Sequence, residues 1–242
     1  VTGSERPPLG WIGLGALGAP MASNLLAAGF PLTVYNRTTG PEQPLVAKGA
    51  LLATSPAATS ATAELFCLCV SDDAAAEAVL FSHQSDPERA PASAGLRPGS
   101  LVIDFSTIVP ATSQSLAMRL ADLGVANLDA PVTGGTEGAR AGNLSVLVGG
   151  DASDLERARP VLEVVGARVS HLGPVGAGQQ AKAVNQVLVA GSYAAVAEAM
   201  ALGQRLAQPV SALVASLEDE LLAAGHGNDD VSALARWFSR PS

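Results

Sequence analysis

The sequence predicts an α/β protein in which a doubly wound, mainly parallel sheet is followed by a smaller all-helical domain with one long helix. Three observations carry that prediction. Short apolar runs alternate with Ala-rich stretches of helical spacing from residue 9 to residue 106. A glycine-marked turn joins the first run to the first helical stretch. From residue 175 to about 207 the chain then carries Ala, Val and Leu at helical spacing with few charges and no proline. Unbroken apolar strands alternating with helices indicate a parallel sheet covered on both faces, since a strand with one wet face would alternate apolar and polar residues.

Taken in order, the expected strands are residues 9–12, 32–35, 65–70 and 101–105, with helical stretches that include 21–28 and 72–81. Pro87, Pro91, Pro98 and several serines mark 82–99 as a surface excursion. A second series places strands near 125–128, 144–148 and 168–172. The domain boundary falls at 173–178, giving a first domain over 1–173 and a helical substrate or dimerisation domain over 174–242. Between Val187 and Leu202 the long helix is apolar over most of its circumference, so it requires burial on several sides, by its own domain or by another subunit. A homo-oligomer built through that helix is the expectation.

Composition narrows the function classes. Of 242 residues, 48 % are hydrophobic and 15 % charged, which supplies a core and excludes a disordered or disulfide-stapled chain. The 14 Lys and Arg against 22 Asp and Glu leave a net charge of -8, which repels a phosphate backbone, so no nucleic acid partner is expected. Cys67 and Cys69 stand one residue apart in an apolar run, on one face of a strand, where no staple is suggested. A reducing compartment follows, the cytoplasm or an organelle matrix. Residues 1–10 carry charges and prolines where a signal peptide needs an apolar stretch, and no uncharged apolar run reaches membrane-spanning length. No membrane partner and no metal are expected, and a targeting segment removed ahead of Val1 would leave no trace.

The glycine turn is specific in context. Gly13, Gly15 and Gly18, with Leu14, Ala16 and Leu17 between them, form G-x-G-x-x-G directly after a strand and before a helix. Such glycines allow a tight turn and the close approach of a pyrophosphate to the helix N-terminus, whose free N–H groups and dipole favour anions. The first domain is therefore expected to be a Rossmann-type dinucleotide-binding domain. At the end of the second strand an NAD site usually carries an acid for the ribose hydroxyls, but here the chain reads Asn36, Arg37 and Thr38. Arg37 suits the extra phosphate of NADP, with Asn36 and Thr38 as neutral donors, so NADP is favoured over NAD.

With these residues in view the chain resembles the β-hydroxyacid dehydrogenases, which include 3-hydroxyisobutyrate dehydrogenase, tartronate semialdehyde reductase and glyoxylate or succinic semialdehyde reductases. Four ordered blocks carry the resemblance: Trp11 to Ala22, continuing through Asn24 and Gly29 to Thr38; Asp104-Phe105-Ser106-Thr107; Asp129-Ala130-Pro131-Val132-Thr133-Gly134-Gly135 with Gly138 and Gly142; and Gly176-x-Gly178 leading to Lys182, Asn185 and Gln186. The resemblance implies an NAD(P)-dependent oxidoreductase interconverting a small 3-hydroxy acid and its semialdehyde. In that reading Lys182 is the general acid and base, while Thr133, Gly134 and Gly135 clamp the substrate carboxylate. Asn185 and Gln186 help hold the substrate, and Val70, Ser71 and Thr107 line the nicotinamide ribose and ring.

Physical chemistry supports those roles independently. A hydroxyl beside successive N–H groups in a Gly-rich turn makes an anion nest. Lys182, Asn185 and Gln186 are three and four residues apart, so a helix presents them on one side. Burial beside a cationic nicotinamide would lower a lysine pKa toward the working range.

The chain departs from the family near its end. Residues 225–234 resemble the family's usual C-terminus, yet only one further helical segment, 209–224, separates them from the long helix, where the family has several. Internal helices of the second domain are thus expected to be missing. The alternative function is a catalytically impaired dinucleotide-binding or interaction protein on the same scaffold. 6-Phosphogluconate dehydrogenases would show Lys-x-x-His-Asn where this chain has Asn185, and imine reductases of similar opening lack the lysine.

Overall fold

The computed structural model describes residues 6–82 and 90–206. In chain order its elements are β1 (Leu9–Ile12), α1 (Gly18–Ala27), β2 (Leu32–Tyr35), α2 (Gln43–Val46), β3 (Leu51–Leu52), α3 (Pro56–Ala61), β4 (Leu65–Leu68) and α4 (Asp73–Phe81). After a single 3-10 turn at Ala92–Ala94 come β5 (Leu101–Asp104), α5 (Pro110–Ala121), β6 (Ala126–Asp129), β7 (Val132–Thr133), α6 (Gly135–Ala141), β8 (Ser145–Gly149), α7 (Ala152–Val165), β9 (Arg168–Gly173) and α8 (Ala177–Arg205). All strands join one sheet in the order β3-β2-β1-β4-β5-β6-β8-β7, with β9 beside β8. From β3 to β6 the pairing is parallel, and β8 then runs antiparallel to β6 and β7. The strand order reverses between β1 and β4, and the crevice at such a switch point is where open parallel sheets bind ligands.

The unbroken apolar strands are buried on both faces, as a parallel sheet requires. On one face Trp11, Met21, Leu25, Phe105, Leu128 and Leu162 share a core; on the other Ile12, Phe66, Leu68, Leu80, Leu116 and Leu120 do so. Trp11 on β1 and Phe105 just after β5, on either side of β4 in the sheet order, stack with ring centroids 5.5 Å apart. One expectation is corrected: 82–99 is not wholly a surface excursion. Pro91 and Ala92 are buried, Ser60 Oγ donates to the Ala92 carbonyl at 2.7 Å, and Leu96 enters the second core. Prolines mark the absence of a regular ladder, which says nothing about burial. Residues 83–89 lie outside the described residues.

The start of α8 is fixed by a buried acid. Asp129, at the carboxyl end of β6, is fully buried and accepts the N–H of Gly176 at 2.7 Å and of Gln179 at 2.8 Å. It thereby satisfies donors that the first turn of a helix leaves without intrahelical partners. By contacts the chain divides into two compact units, Val1–Lys182 and Ala183–Ser242, so the first turn of α8 belongs with the sheet. In the second unit the described part of α8 turns Val184, Val187, Tyr193 and Leu202 outward, each more than half exposed. By length and composition α8 is apolar enough to cross a membrane, which the expectation framed on uncharged runs passed over. The missing internal helices expected between 209 and 225 fall outside the described residues.

Asp104 ends β5 directly beside Asp129 in the parallel register. Burial pushes its carboxyl up from 3.8 to about 6, opposed by hydrogen bonds from Ser106 and reinforced by the Asp129 charge. Between those pH values the folded chain holds a proton that the unfolded chain has released, so this contribution is full below about 3.8 and is lost as pH rises through about 6. Asp104→Asn keeps an acceptor for Ser106 and removes the titration. The variant is therefore expected to match the parent near pH 4 and to exceed it at pH 7 by on the order of 3 kcal/mol or less in urea unfolding. A difference that stays constant across that range would contradict the assignment.

Candidate active site

The glycine turn is dictated by contact. A Cβ on Gly13 would lie 2.0 Å from the Cys69 carbonyl oxygen, and one on Gly18 would lie 2.0 Å from the Gly13 carbonyl oxygen. Only glycine lets β1, β4 and α1 converge this closely. Gly15 differs, since a Cβ there meets nothing within 4 Å and the residue is exposed with Ala16, leaving the backbone open to a ligand. No side chain caps the α1 N-terminus at Leu17, and its first turn carries no acid. An anion at that end would meet N–H groups and the positive end of the helix dipole.

A cleft of about 320 Å³ opens over this turn. Gly13, Leu14 and Gly15 form its floor, Asn36, Arg37 and Thr38 one end, and Val70 and Ser71 the other side. Tyr35, Pro56, Ala75, Ala78 and Val79 add a largely apolar wall suited to a flat base, a wall that the sequence reading did not single out. Gly18 is buried behind the turn and, like Ala16 and Leu17, does not line the cleft.

Asn36 has a positioning task in addition to the one expected of it. Its Oδ1 accepts the Leu14 N–H at 2.9 Å and its Nδ2 donates to the Thr38 carbonyl at 2.7 Å, so the amide ties the glycine turn to the end of β2. Arg37 and Thr38 are exposed at the mouth. Across the cleft Asp72 caps α4 through the Ala75 N–H at 2.8 Å and takes the Ser71 hydroxyl at 2.7 Å. Those bonds, with a smaller contribution from the Arg37 charge, hold its carboxyl below the usual range. Cys69 also reaches the cleft, but burial pushes its thiol up to about 12, so it is an apolar wall and not a nucleophile.

At the carboxyl end of β5 the exposed Thr107 follows Ser106, whose Oγ accepts the Val70 N–H at 2.9 Å. Gln179, in the first turn of α8, donates to the Ser106 carbonyl at 2.7 Å and accepts the Ile108 N–H at 3.2 Å, bracketing Thr107. Lys182 stands three residues further on and is buried, with 7 % of its surface exposed. Gln179 was not identified from sequence; the signal available was its position three residues before the lysine, on the same side of the helix.

Thr133 ends β7, and Gly134 and Gly135 follow with φ of 131° and 65°, turning the chain into α6 with both glycines exposed. Asn24 of α1 donates to the Ala139 carbonyl at 2.9 Å, linking that turn's helix to the helix behind the cofactor floor. Asn185 and Gln186 fall in the second unit, where their side chains approach each other at 3.5 Å and Gln186 is exposed.

The comparisons with known proteins agree with this arrangement. The sequence profile of the NAD binding domain of 6-phosphogluconate dehydrogenase matches residues 8–173. The NAD-dependent L-serine dehydrogenase of Pseudomonas aeruginosa PAO1 is 41 % identical over 195 residues, which cover 81 % of this chain and 63 % of that protein. The 2-hydroxy-3-oxopropionate reductase of Escherichia coli K12 is 36 % identical over 224 residues, covering 90 % and 74 %. A solved structure of Mycobacterium tuberculosis 3-hydroxyisobutyrate dehydrogenase with L-serine superposes with a TM-score of 0.74 at 31 % identity, covering 91 % of this chain and 72 % of that one. The chain spans less than two thirds of the first of these relatives. With a dinucleotide-binding domain of this type over most of its length and identities at this level, the chain belongs to the β-hydroxyacid dehydrogenase family, as a 3-hydroxyisobutyrate dehydrogenase-like member.

Proposed function

We propose that the protein is an NADP-dependent oxidoreductase that interconverts a small 3-hydroxy acid and its semialdehyde, with Lys182 as the proton-transfer group. The observation that carries this reading is a buried lysine one helical turn beyond the glutamine that brackets Thr107, at the carboxyl end of a sheet whose glycine turn fits a pyrophosphate. The dinucleotide, when bound, supplies the hydride acceptor or donor. Lys182 takes the hydroxyl proton on oxidation and returns it to the carbonyl oxygen on reduction. The Thr133 hydroxyl and the N–H groups of the Gly134-Gly135 turn hold the substrate carboxylate, with Asn185 and Gln186 as further polar contacts. Val70, Ser71 and Thr107 line the nicotinamide ribose and ring. Semialdehydes suit the 36 % identity to 2-hydroxy-3-oxopropionate reductase, and a 3-hydroxy acid suits the L-serine named for two of the relatives.

Selection of NADP rests on Arg37 and on the lack of an acid at the end of β2. A charge-assisted contact with the 2'-phosphate contributes about 1.5 to 3 kcal/mol, on the order of ten- to a hundredfold in affinity. NADPH is thus expected to bind more tightly than NADH by titration calorimetry, and Arg37→Ala is expected to erase the difference. Equal affinities in the parent would favour NAD, the cofactor named for the Pseudomonas relative.

The assay that tests the reaction is NADPH oxidation across a panel of short semialdehydes. Lys182→Ala is expected to lower turnover at least about a hundredfold while leaving the dinucleotide dissociation constant within about twofold. Comparable turnover in the variant would assign the proton to another group. Dinucleotide binding with no turnover in the parent would support the second reading, a binding protein on the same scaffold.

The outward apolar residues of α8 support pairing of two or more chains through that helix. Light scattering is expected to give a multiple of the chain mass, and Val187→Glu with Tyr193→Glu is expected to lower it. A monodisperse monomer in the parent would refute the pairing.

A further inference from the structure

The geometry points to Gln179 as a positioning residue, one that sets Lys182 against the nicotinamide end of the cofactor cleft. The inference rests on Lys182 being the proton-transfer group. Gln179 is 1 % exposed, and every polar group it presents on this side is used. Its Nε2 donates to the Ser106 carbonyl at 2.7 Å, its Oε1 accepts the Ile108 N–H at 3.2 Å, and its own N–H is held by Asp129 Oδ2 at 2.8 Å.

Those bonds form a continuous path between cleft and lysine. The Val70 N–H, in the cleft wall, is held by Ser106 Oγ at 2.9 Å, and the Ser106 N–H by Asp104 Oδ1 at 2.9 Å. Ser106 passes to Gln179 through its carbonyl, and three residues of helix, about 4.5 Å of rise, lead to Lys182. The clamp adds two side-chain bonds to the backbone cap on Asp129 in the turn that carries the lysine, and an error of about 1 Å in such a group is enough to cost on the order of a hundredfold in rate.

The side chain's identity matters because the site asks one planar group to donate and accept at once. A glutamine amide does both, a methionine does neither, and a glutamate does both only when protonated. Glutamate therefore separates positioning from simple filling of a buried space. The titratable groups around the position are Asp73 on α4, which accepts the Val109 N–H beside Ile108, Asp104 on β5, Asp129 on β6 and Lys182 on α8. Burial and the three carboxylates raise the pKa of an introduced acid, and Lys182 opposes that rise.

The test uses the full chain with Gln179→Met and Gln179→Glu, each first verified as folded by near-ultraviolet circular dichroism. The sequence has lysine only at positions 48 and 182, so reductive methylation with carbon-13 gives two lysine signals. Exposed Lys48, bonded to Ser23, is the internal reference. The Lys182 signal is expected to be displaced at every pH in the methionine variant. In the glutamate variant it returns to the parental position as pH falls from 8 to 5, while Lys48 stays in place throughout.

In unlabelled protein, kcat is expected to fall about tenfold or more in both variants, with dinucleotide affinity and substrate KM within about threefold. The glutamate variant's kcat relative to the parent rises as pH falls. Parental Lys182 signals in both variants, or a glutamate-to-parent ratio independent of pH, would overturn the assignment. A parent that turns over no substrate while the Lys182 signals behave as described would refute the proposed reaction and leave the positioning intact. An active parent with undisplaced signals would do the reverse.

Discussion

The carboxylate of Asp129 is the point at which the sheet takes hold of the first turn of α8. It ends β6 beside Asp104, is fully buried, and takes the N–H groups of Gly176 and Gln179. The surroundings are cut to fit it. A Cβ on Gly149 would lie 2.4 Å from one carboxylate oxygen, and a Cβ on Gly178 would lie 2.8 Å from the other and 2.3 Å from the Leu147 carbonyl oxygen. Gly178 of the Gly176-x-Gly178 block therefore has a steric reason tied to a residue some fifty positions earlier, whereas a Cβ on Gly176 would meet the Gln114 side chain. Burying an acid is expensive, and burial raises its pKa. The N–H groups at the helix end offset that burden, and they do so only if the helix begins at this point, which also fixes the turn that carries Lys182.

This arrangement explains how a fold made for binding a dinucleotide is extended toward chemistry. In the sheet from β3 to β6 every connection returns to the same end, so backbone turns after β1, β2, β4 and β5 gather there without any side chain reaching far. The Gly13 turn, Asn36 and Ser106 are held by backbone-directed hydrogen bonds, which makes their positions a property of the sheet. Lys182, near the start of α8, is the one buried cation among the described residues, and Gln179, three residues earlier, is bonded to the Ser106 carbonyl at that end.

Most of the sheet was legible because parallel strands leave unbroken apolar runs, and four of those runs gave β1, β2, β4 and β5 nearly residue for residue. The glycine fingerprint was legible for a related reason: its spacing encodes contacts between backbone atoms, which no other residue tolerates. β3 and β7 have two residues each and leave no period to detect, and β3 carries exposed leucines at the sheet edge. The inward return of Ala92 and Leu96 was hidden because prolines dominated the composition around them. Among site residues, Lys182 stood out as a cation in an apolar helix, whereas Gln179 did not. A glutamine beside a second glutamine in a Gly- and Ala-rich turn looks like solvated surface, and only the three-dimensional meeting with Ser106 and Ile108 distinguishes the buried one.

Asn36 stands where an acid is common, and the backbone around it accounts for the amide. Its amide oxygen is committed to the Leu14 N–H and its amide nitrogen to the Thr38 carbonyl, so the residue braces two loops of the cleft before it meets any ligand. An aspartate could accept from Leu14 but could not donate to Thr38, and would add charge beside Arg37. A neutral amide leaves the Arg37 charge uncompensated by its chain neighbour, and that charge acts weakly on Asp72, whose oxygens are already bonded to Ser71 and Ala75. Loop geometry and the charge at the cleft mouth are thereby set together by one choice of side chain. A change at residue 36 must alter the shape of the glycine turn together with the charge at the cleft mouth, while a change at the exposed residue 37 can alter the charge alone.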